Sequence, residues 1–362
     1  MKTRIRFRTE NDNSTRYTRR GRIALGWLGE LCLLASIASA AIGTLYFLQQ
    51  DMALPSAAAS RSDESSDWIE HSPIYGMSIS ADHNQIMIVR SGRFAQSANV
   101  GTDEIEVNAT SEQGVSCVEF SSNGKQLALG HTDGSVWIRD RQQTTDVRLD
   151  LPAHDAIMQL AFSRDGERLV IGNEFGRVMI WNFKTQRCER QFRAGARRID
   201  ALAVSPDSRS FIATTNNSNI MVRDIETGAE RFSLGCPNLD TCSACVFTED
   251  SRQLICGFVG GGLKAFDLQS RELLWETECH SRHSVLDLAI SPDGRTFACG
   301  ALSPYLEIHD VATGEVVNTF PAHRIGVRCI RFLPGSDFLV SAGYDGEVRV
   351  WCEDDWCPLY SL

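Results

Sequence analysis

Few residues in this chain have the types and spacing that catalysis or metal binding requires. Ser341, His323 and Asp345 lie close together near the C-terminus and invite a hydrolytic reading, in which a histidine base activates a serine nucleophile. The serine, however, stands outside any nucleophile-elbow motif. Cys242 and Cys245 form a single CxxC with neither a second CxxC nor the spaced histidines that a zinc site needs. His280 and His283, with Glu276 and Glu278 nearby, could hold a metal ion, and a solvated loop is the simpler account. No catalytic residue, metal site or cofactor is assigned on these grounds. One basic cluster, Arg187, Arg190, Arg193, Arg197 and Arg198, offers a place for an acidic protein segment or anionic polymer, or is a solvated charged loop.

The elements that must carry these residues are short strands. Val327 to Trp351 reads as an alternating apolar run, a Pro-Gly turn, a second apolar run, an Asp-Gly turn and a third run ending in tryptophan. Alternation places every second side chain on one face, and Asp345-Gly346 tolerates the positive φ of a tight hairpin. Such a meander cannot bury its apolar face alone, and six further copies supply neighbours. An apolar residue followed by a Ser-Pro-Asp-Gly-like turn recurs at Ile79, Phe120, Phe162, Val204, Phe247, Ile290 and Phe332, in steps of 41 to 43 residues. Each copy is followed by further apolar runs, as at Gln126 to Gly130 and Ser135 to Asp140. Four antiparallel strands repeated seven times predict an all-β, seven-bladed β-propeller, whose radial closure lets each sheet bury both faces.

With these motifs the chain resembles the WD-repeat family over about residues 67 to 362. Trp181-Asn182 and Trp351-Cys352 stand at the Trp-Asp positions, with Arg139-Asp140, Arg223-Asp224, Phe266-Asp267 and His309-Asp310 as degenerate versions. His154 and His323 match the family histidine, and Asp133 and Asp345 the turn aspartate. The resemblance implies that His323, Ser341, Asp345 and Trp351 form a structural hydrogen-bond network. It also implies a non-catalytic protein-interaction scaffold, with partners on the loops of the ring. The first repeat departs from the pattern: Ser91 to Asn99 lacks a clear Asp-Gly, so a longer loop is expected there. Two segments could supply the last blade's fourth strand, Asp67 to His71 or Pro358 to Leu362, and the resemblance favours the N-terminal one.

The first fifth of the chain has a different character. Residues 23–48 are apolar apart from Glu30 and small hydroxyl residues, long enough to cross a bilayer as a helix. Arginines 19, 20 and 22 precede this run, within a basic head, residues 1–22, of charge about +6; the rest of the chain is about −16. The positive-inside rule then keeps the N-terminus cytoplasmic and places the propeller on the other side. A cleaved signal peptide is the alternative, because Ala38-Ser39-Ala40 offers cleavage-like spacing. Residues 49–66 are Ala- and Ser-rich and read as a flexible linker. An acidic body argues against a nucleic-acid backbone binder. The twelve cysteines are too sparse for a disulfide scaffold, although Cys236 with Cys242, and Cys352 with Cys357, are near enough to pair. A second function class is an exported, cofactor-binding propeller similar to the quinoproteins, which Leu273-Leu274-Trp275 and Asp310 to Glu315 faintly resemble.

Overall fold

The computed structural model describes residues 72–361, apart from 83–84, 92–93, 100–106, 142–145, 216–218, 236–240, 280–281, 334 and 354–355. The proposed membrane segment, the linker, Asp67 to His71, Cys236 and His280 lie outside the described residues. No helix among the described residues is long and apolar enough to cross a membrane.

Seven four-stranded antiparallel sheets follow one another in chain order, each built from four consecutive strands. Blades 1 to 7 span residues 74–113, 115–148, 157–193, 201–235, 242–278, 285–321 and 327–361. The first strands of successive blades are neighbours all the way round, and that of blade 7 packs against that of blade 1. The first strand of each blade is therefore innermost and the fourth outermost. Second strands are almost continuously buried, as in Arg168–Asn173 and Gln253–Phe258, because blades cover both of their faces. Outermost strands such as Leu273–Glu278 are largely exposed.

Apolar packing lies between blades. Each of the seven junctions holds its own cluster; between blades 5 and 6, for example, Ile255 and Leu263 meet Leu288 and Phe297. Close approach at these junctions selects glycine in the second strand. A Cβ on Gly172 would sit 2.9 Å from Ile199, and one on Gly130 2.8 Å from Ile157, both in the next blade's approach.

Two expectations are corrected. The outermost strand of blade 7 is Pro358–Ser361, paired with Val348–Cys352 in the register Trp351↔Pro358 and Arg349↔Ser361. The C-terminal tail, and not the N-terminal segment, completes this blade. A hairpin of a few residues closes at lower entropic cost than a strand brought from the far end of the chain, and the turn is fixed by Trp356 N–H donating to the Cys352 carbonyl at 2.8 Å. In blade 1, the second turn is short. Phe94–Asn99 pairs with Gln85–Arg90 from Arg90↔Phe94 onward, so residues 91–93 alone make the connection. The extra length lies instead between the third and fourth strands, ahead of Val107–Gln113.

Candidate interaction surfaces

Blade 7 gathers its four motif residues into one buried relay. Trp351 Nε1 donates to Ser341 Oγ at 2.9 Å, Ser341 Oγ donates to His323 Nε2 at 2.8 Å, and His323 Nδ1 donates to Asp345 Oδ1 at 2.9 Å. The Arg324 amide completes the carboxylate by donating to Asp345 Oδ2 at 2.9 Å. Burial pushes the Asp345 carboxyl up, but the hydrogen bonds from His323 and the Arg324 amide outweigh it and hold the group at about 2. The serine hydroxyl is thus spent between an indole and an imidazole, and Ser341 is fully buried. Such an arrangement locks the last inter-blade connection to the second and third strands; it leaves no approach for a substrate.

The other blades retain parts of this device. In blade 3, Trp181 occupies the register position of Trp351, but Ile171 stands where Ser341 does, and the Trp181 indole N–H is buried without a partner. His154, in the connection before that blade, is exposed. In blade 6, His309 replaces the tryptophan. Its ring stacks on Phe297 at 4.9 Å, Nδ1 donates to the Gly314 carbonyl at 3.0 Å, and Nε2 lies 3.2 Å from buried Glu307.

The recurring polar turns prove to be capping devices. In blades 1 to 6 a serine or threonine hydroxyl donates to the Asp or Asn two residues on, as in Ser163 to Asp165 and Ser205 to Asp207, each at 2.5 Å. The same hydroxyl accepts the amide five residues on, closing the turn between the first and second strands. At the third turn, Asn182, Asp224, Asp267 and Asp310 each accept the amides two and three residues ahead. The aspartate of the degenerate Trp-Asp pairs in blades 4 to 6 is therefore a turn cap.

Sequence reading missed the charges inside the ring. Glu119, Asp287, Arg328 and Arg331 lie on innermost strands. Asp287 Oδ2 accepts Arg331 Nη1 at 2.6 Å and the Ile330 amide at 2.8 Å, joining blades 6 and 7. Arg328 Nη1 donates to the Leu286 carbonyl at 3.2 Å. Burial raises the Glu119 carboxyl to about 7, against the opposing pull of Arg331 and the Ser78 hydroxyl. The available signal was a charge inside an otherwise apolar first strand, as in Val118-Glu119-Phe120.

The structure does not gather the five arginines of the basic cluster. Arg187, Arg190 and Arg193 are strung along the outermost strand of blade 3, Arg187–Arg193, and Arg197 and Arg198 lie in the connection beyond it. A strand of that length spans about 20 Å. All five side chains are exposed, but Arg190 donates to the carbonyls of Thr227 and Glu189, and Arg198 pairs with Asp200 at 2.7 Å. Of the histidine pair only His283 is described; it is exposed, and its backbone carbonyl lies 3.4 Å from Cys279 Sγ. Cys242 and Cys245 sit on the innermost strand of blade 5, with Cys242 packed in the junction with blade 4. No disulfide joins the ten described cysteines, Cys352 and Cys357 included, and burial pushes Cys117 up to about 12 and Cys329 to about 11. Thiols so held stay protonated and act as small apolar groups.

The meander order puts the second turns and the blade-to-blade connections on one face of the ring, and the first and third turns on the other. On the first face, Val259, Leu302 and Ile325 are 50%, 42% and 57% exposed, in connections of blades 5, 6 and 7. Gly326 lies against Leu302 and Tyr344, so the connections of blades 6 and 7 are close neighbours.

Comparison with known proteins agrees with this architecture. Residues 105–140, 271–308 and 314–352 match the family model described as WD domain, G-beta repeat. Similar proteins include mouse (Mus musculus) telomerase protein component 1, 23% identical over 68% of this chain and 9% of that protein. Autophagy-related protein 16 of Arabidopsis thaliana is 22% identical over 66% of this chain and 48% of its own length. Transcription factor unc-37 of Caenorhabditis elegans is 24% identical over 52% and 30% respectively. The chain spans less than half the length of each of these relatives. The sequence matches and the seven consecutive four-stranded blades lead to one statement: this chain carries WD40 repeats, and they are built into a seven-bladed β-propeller.

Proposed function

We propose that the chain is a membrane-tethered, non-catalytic scaffold that presents a rigid ring to protein partners. The observation that carries the reading is the apolar pair Leu302 and Ile325, exposed on adjacent connections, with Val259 exposed on the same face of a ring whose polar motif residues are consumed by the fold itself. Exposed apolar side chains clustered within a polar surface mark protein interfaces. Homology to interaction scaffolds of the WD-repeat type supports the same class. The exposed arginines at the same end of blade 3, Arg193, Arg197 and Arg198, give that face a site for acidic groups of a partner.

The tether rests on sequence: the apolar run 23–48, the arginines before it and the linker after it. In this reading the N-terminus is cytoplasmic and the propeller lies on the opposite side. Affinity capture with the full chain tests the scaffold, comparing it with the variant Val259→Asp, Leu302→Asp, Ile325→Asp. Partners that bind the first and are lost from the second support the face as the interface; an identical set on both refutes it. For the tether, carbonate extraction should leave the chain with the membrane, and a reporter at residue 362 found in the cytoplasm overturns the orientation.

A further inference from the structure

The opposite side of the ring holds a second surface. At matching register positions, the outermost strands begin with Asp146-Val147 in blade 2, Cys188-Glu189 in blade 3 and Glu230-Arg231 in blade 4. In blades 5, 6 and 7 the same positions hold Leu273-Leu274, Val316-Val317 and Pro358-Leu359. All six are exposed, Val317 by 61%. Three of the six blades compared thus carry an apolar pair, where the pairs of blades 2 to 4 each include a charged residue.

The three pairs lie on successive blades, and the outer strands of blades 5 and 6 are each seated on the following blade. Trp275, next to Leu274, stacks on Phe297 of blade 6 and donates Nε1 to the Val311 carbonyl at 2.9 Å. Phe320, on the same strand as Val317, stacks on Trp356 of blade 7 at 5.4 Å, two residues before Pro358. These strands are also the sheet edges, so their outward ladder groups face no further strand among the described residues.

Acid borders each pair. Glu272 directly precedes Leu273, Glu315 directly precedes Val316, and Glu353 lies in the turn before Pro358. Of the nearby cations, the Arg271 guanidinium lies 4.8 Å over the Phe232 ring of blade 4, Arg252 stands beside Asp250 and Asp267, and exposed Arg295 lies 3.8 Å from Asp293. This charge selects the occupant. An anionic lipid surface would be repelled, and a second copy would oppose acid to acid.

We propose that the outer rim of blades 5 to 7 docks a basic, apolar protein segment, one with leucine-like side chains interspersed with lysine or arginine. The proposal rests on the scaffold reading and assigns it a second surface, with the chemistry of the partner that fits. The probe is a fluorescent peptide of alternating leucine and lysine, measured by anisotropy against the full chain in detergent micelles. Controls are serine-lysine and leucine-glutamate peptides and phosphatidylserine vesicles. The leucine-lysine peptide should bind, and Leu274→Lys with Val317→Lys should weaken it by about tenfold or more. Glu315→Lys should weaken it and reduce its salt dependence, while Ile325→Asp on the other face leaves it unchanged. All four substitutions are at exposed positions, and an unchanged melting midpoint verifies folding. Failure of the leucine-lysine peptide to bind, equal binding by the rim variant, equal binding of the serine-lysine peptide, or vesicle binding lost in the rim variant would overturn the proposal. Loss of partner capture by the face variant, with no effect of the rim variant, would leave the scaffold standing and remove the rim.

Discussion

Replacing Ser341 with alanine should destabilise blade 7 through two groups at once. The hydroxyl accepts the Trp351 indole N–H and donates to His323 Nε2, at 2.9 and 2.8 Å, and all three side chains are buried. Alanine fills nearly the same space, so the cavity contribution is small and the cost lies in stranding a buried donor and a buried acceptor. At about 1–3 kcal/mol for each, Ser341→Ala should cost about 2–6 kcal/mol. Urea unfolding of the full chain in detergent, followed by far-UV circular dichroism, measures the loss. Trp351→Phe removes the donor, so in that background the same serine change should cost only about 1–3 kcal/mol. A coupling of about 1–3 kcal/mol in the double-mutant cycle is therefore expected. A cost below about 1 kcal/mol for Ser341→Ala, or a cycle with no coupling, would refute the relay as a stabilising device.

Three further outcomes follow from the geometry. Gly172→Ala should cost about 1–3 kcal/mol, because its Cβ would meet three Ile199 carbons at 2.9 Å; a melting midpoint within a degree of the parent would contradict this packing. Asp345, held at about 2 against an unfolded value near 4, contributes about 2 kcal/mol that is complete above the unfolded value and is lost as pH falls through about 2; Asp345→Asn should flatten the acid limb of the stability profile. Glu119 acts with the opposite sign. Its folded value of about 7 lies above the unfolded one, so the ring binds more protons than the open chain between about 4.5 and 7. Stability should fall by about 2–3 kcal/mol across that window as pH rises, and Glu119→Gln should abolish the slope. A slope unchanged in that variant would place the titration elsewhere.

The ring was legible because its turns are. A hydroxyl residue followed two positions on by Asp or Asn caps the first turn of six blades, and that local device repeats in the sequence at the spacing of the blades. What local pattern could not reveal is what comes together across blades. Glu119, Asp287 and Arg331 are far apart in sequence and meet only because their strands line one channel. The five arginines made the reverse case: close in sequence, they are drawn out along an extended strand and its connection. The apolar rim was hidden for a third reason. Leu273-Leu274 and Val316-Val317 look like ordinary strand residues until the sheet order shows their strands to be the outermost.

The fourth strand of blade 7 decides how the ring is closed. Blade 7 is completed by its own C-terminal hairpin, so no backbone ladder crosses from blade 7 to blade 1 among the described residues. The junction instead depends on side chains. Ile74, Met77, Ile86 and Ile88 pack against Cys329, Val340 and Val348, and Tyr75 meets Tyr344 edge-on at 5.7 Å. Arg90 adds a long-range tie, donating to the Ser72 carbonyl at 3.0 Å and to the Gly346 carbonyl at 2.8 Å, while its Nε donates to Gln96. A buried guanidinium so placed is what a strand exchange would otherwise provide: directional bonds between the first blade and the last. Removing it strands two carbonyls and opens a fixed polar link at this junction, whereas the other junctions keep a covalent connection between neighbouring blades. The seam between blades 7 and 1 is therefore where the ring should open first, and hydrogen exchange in Ile74–Ile79 and Val327–Phe332 should rise in Arg90→Met before it rises elsewhere.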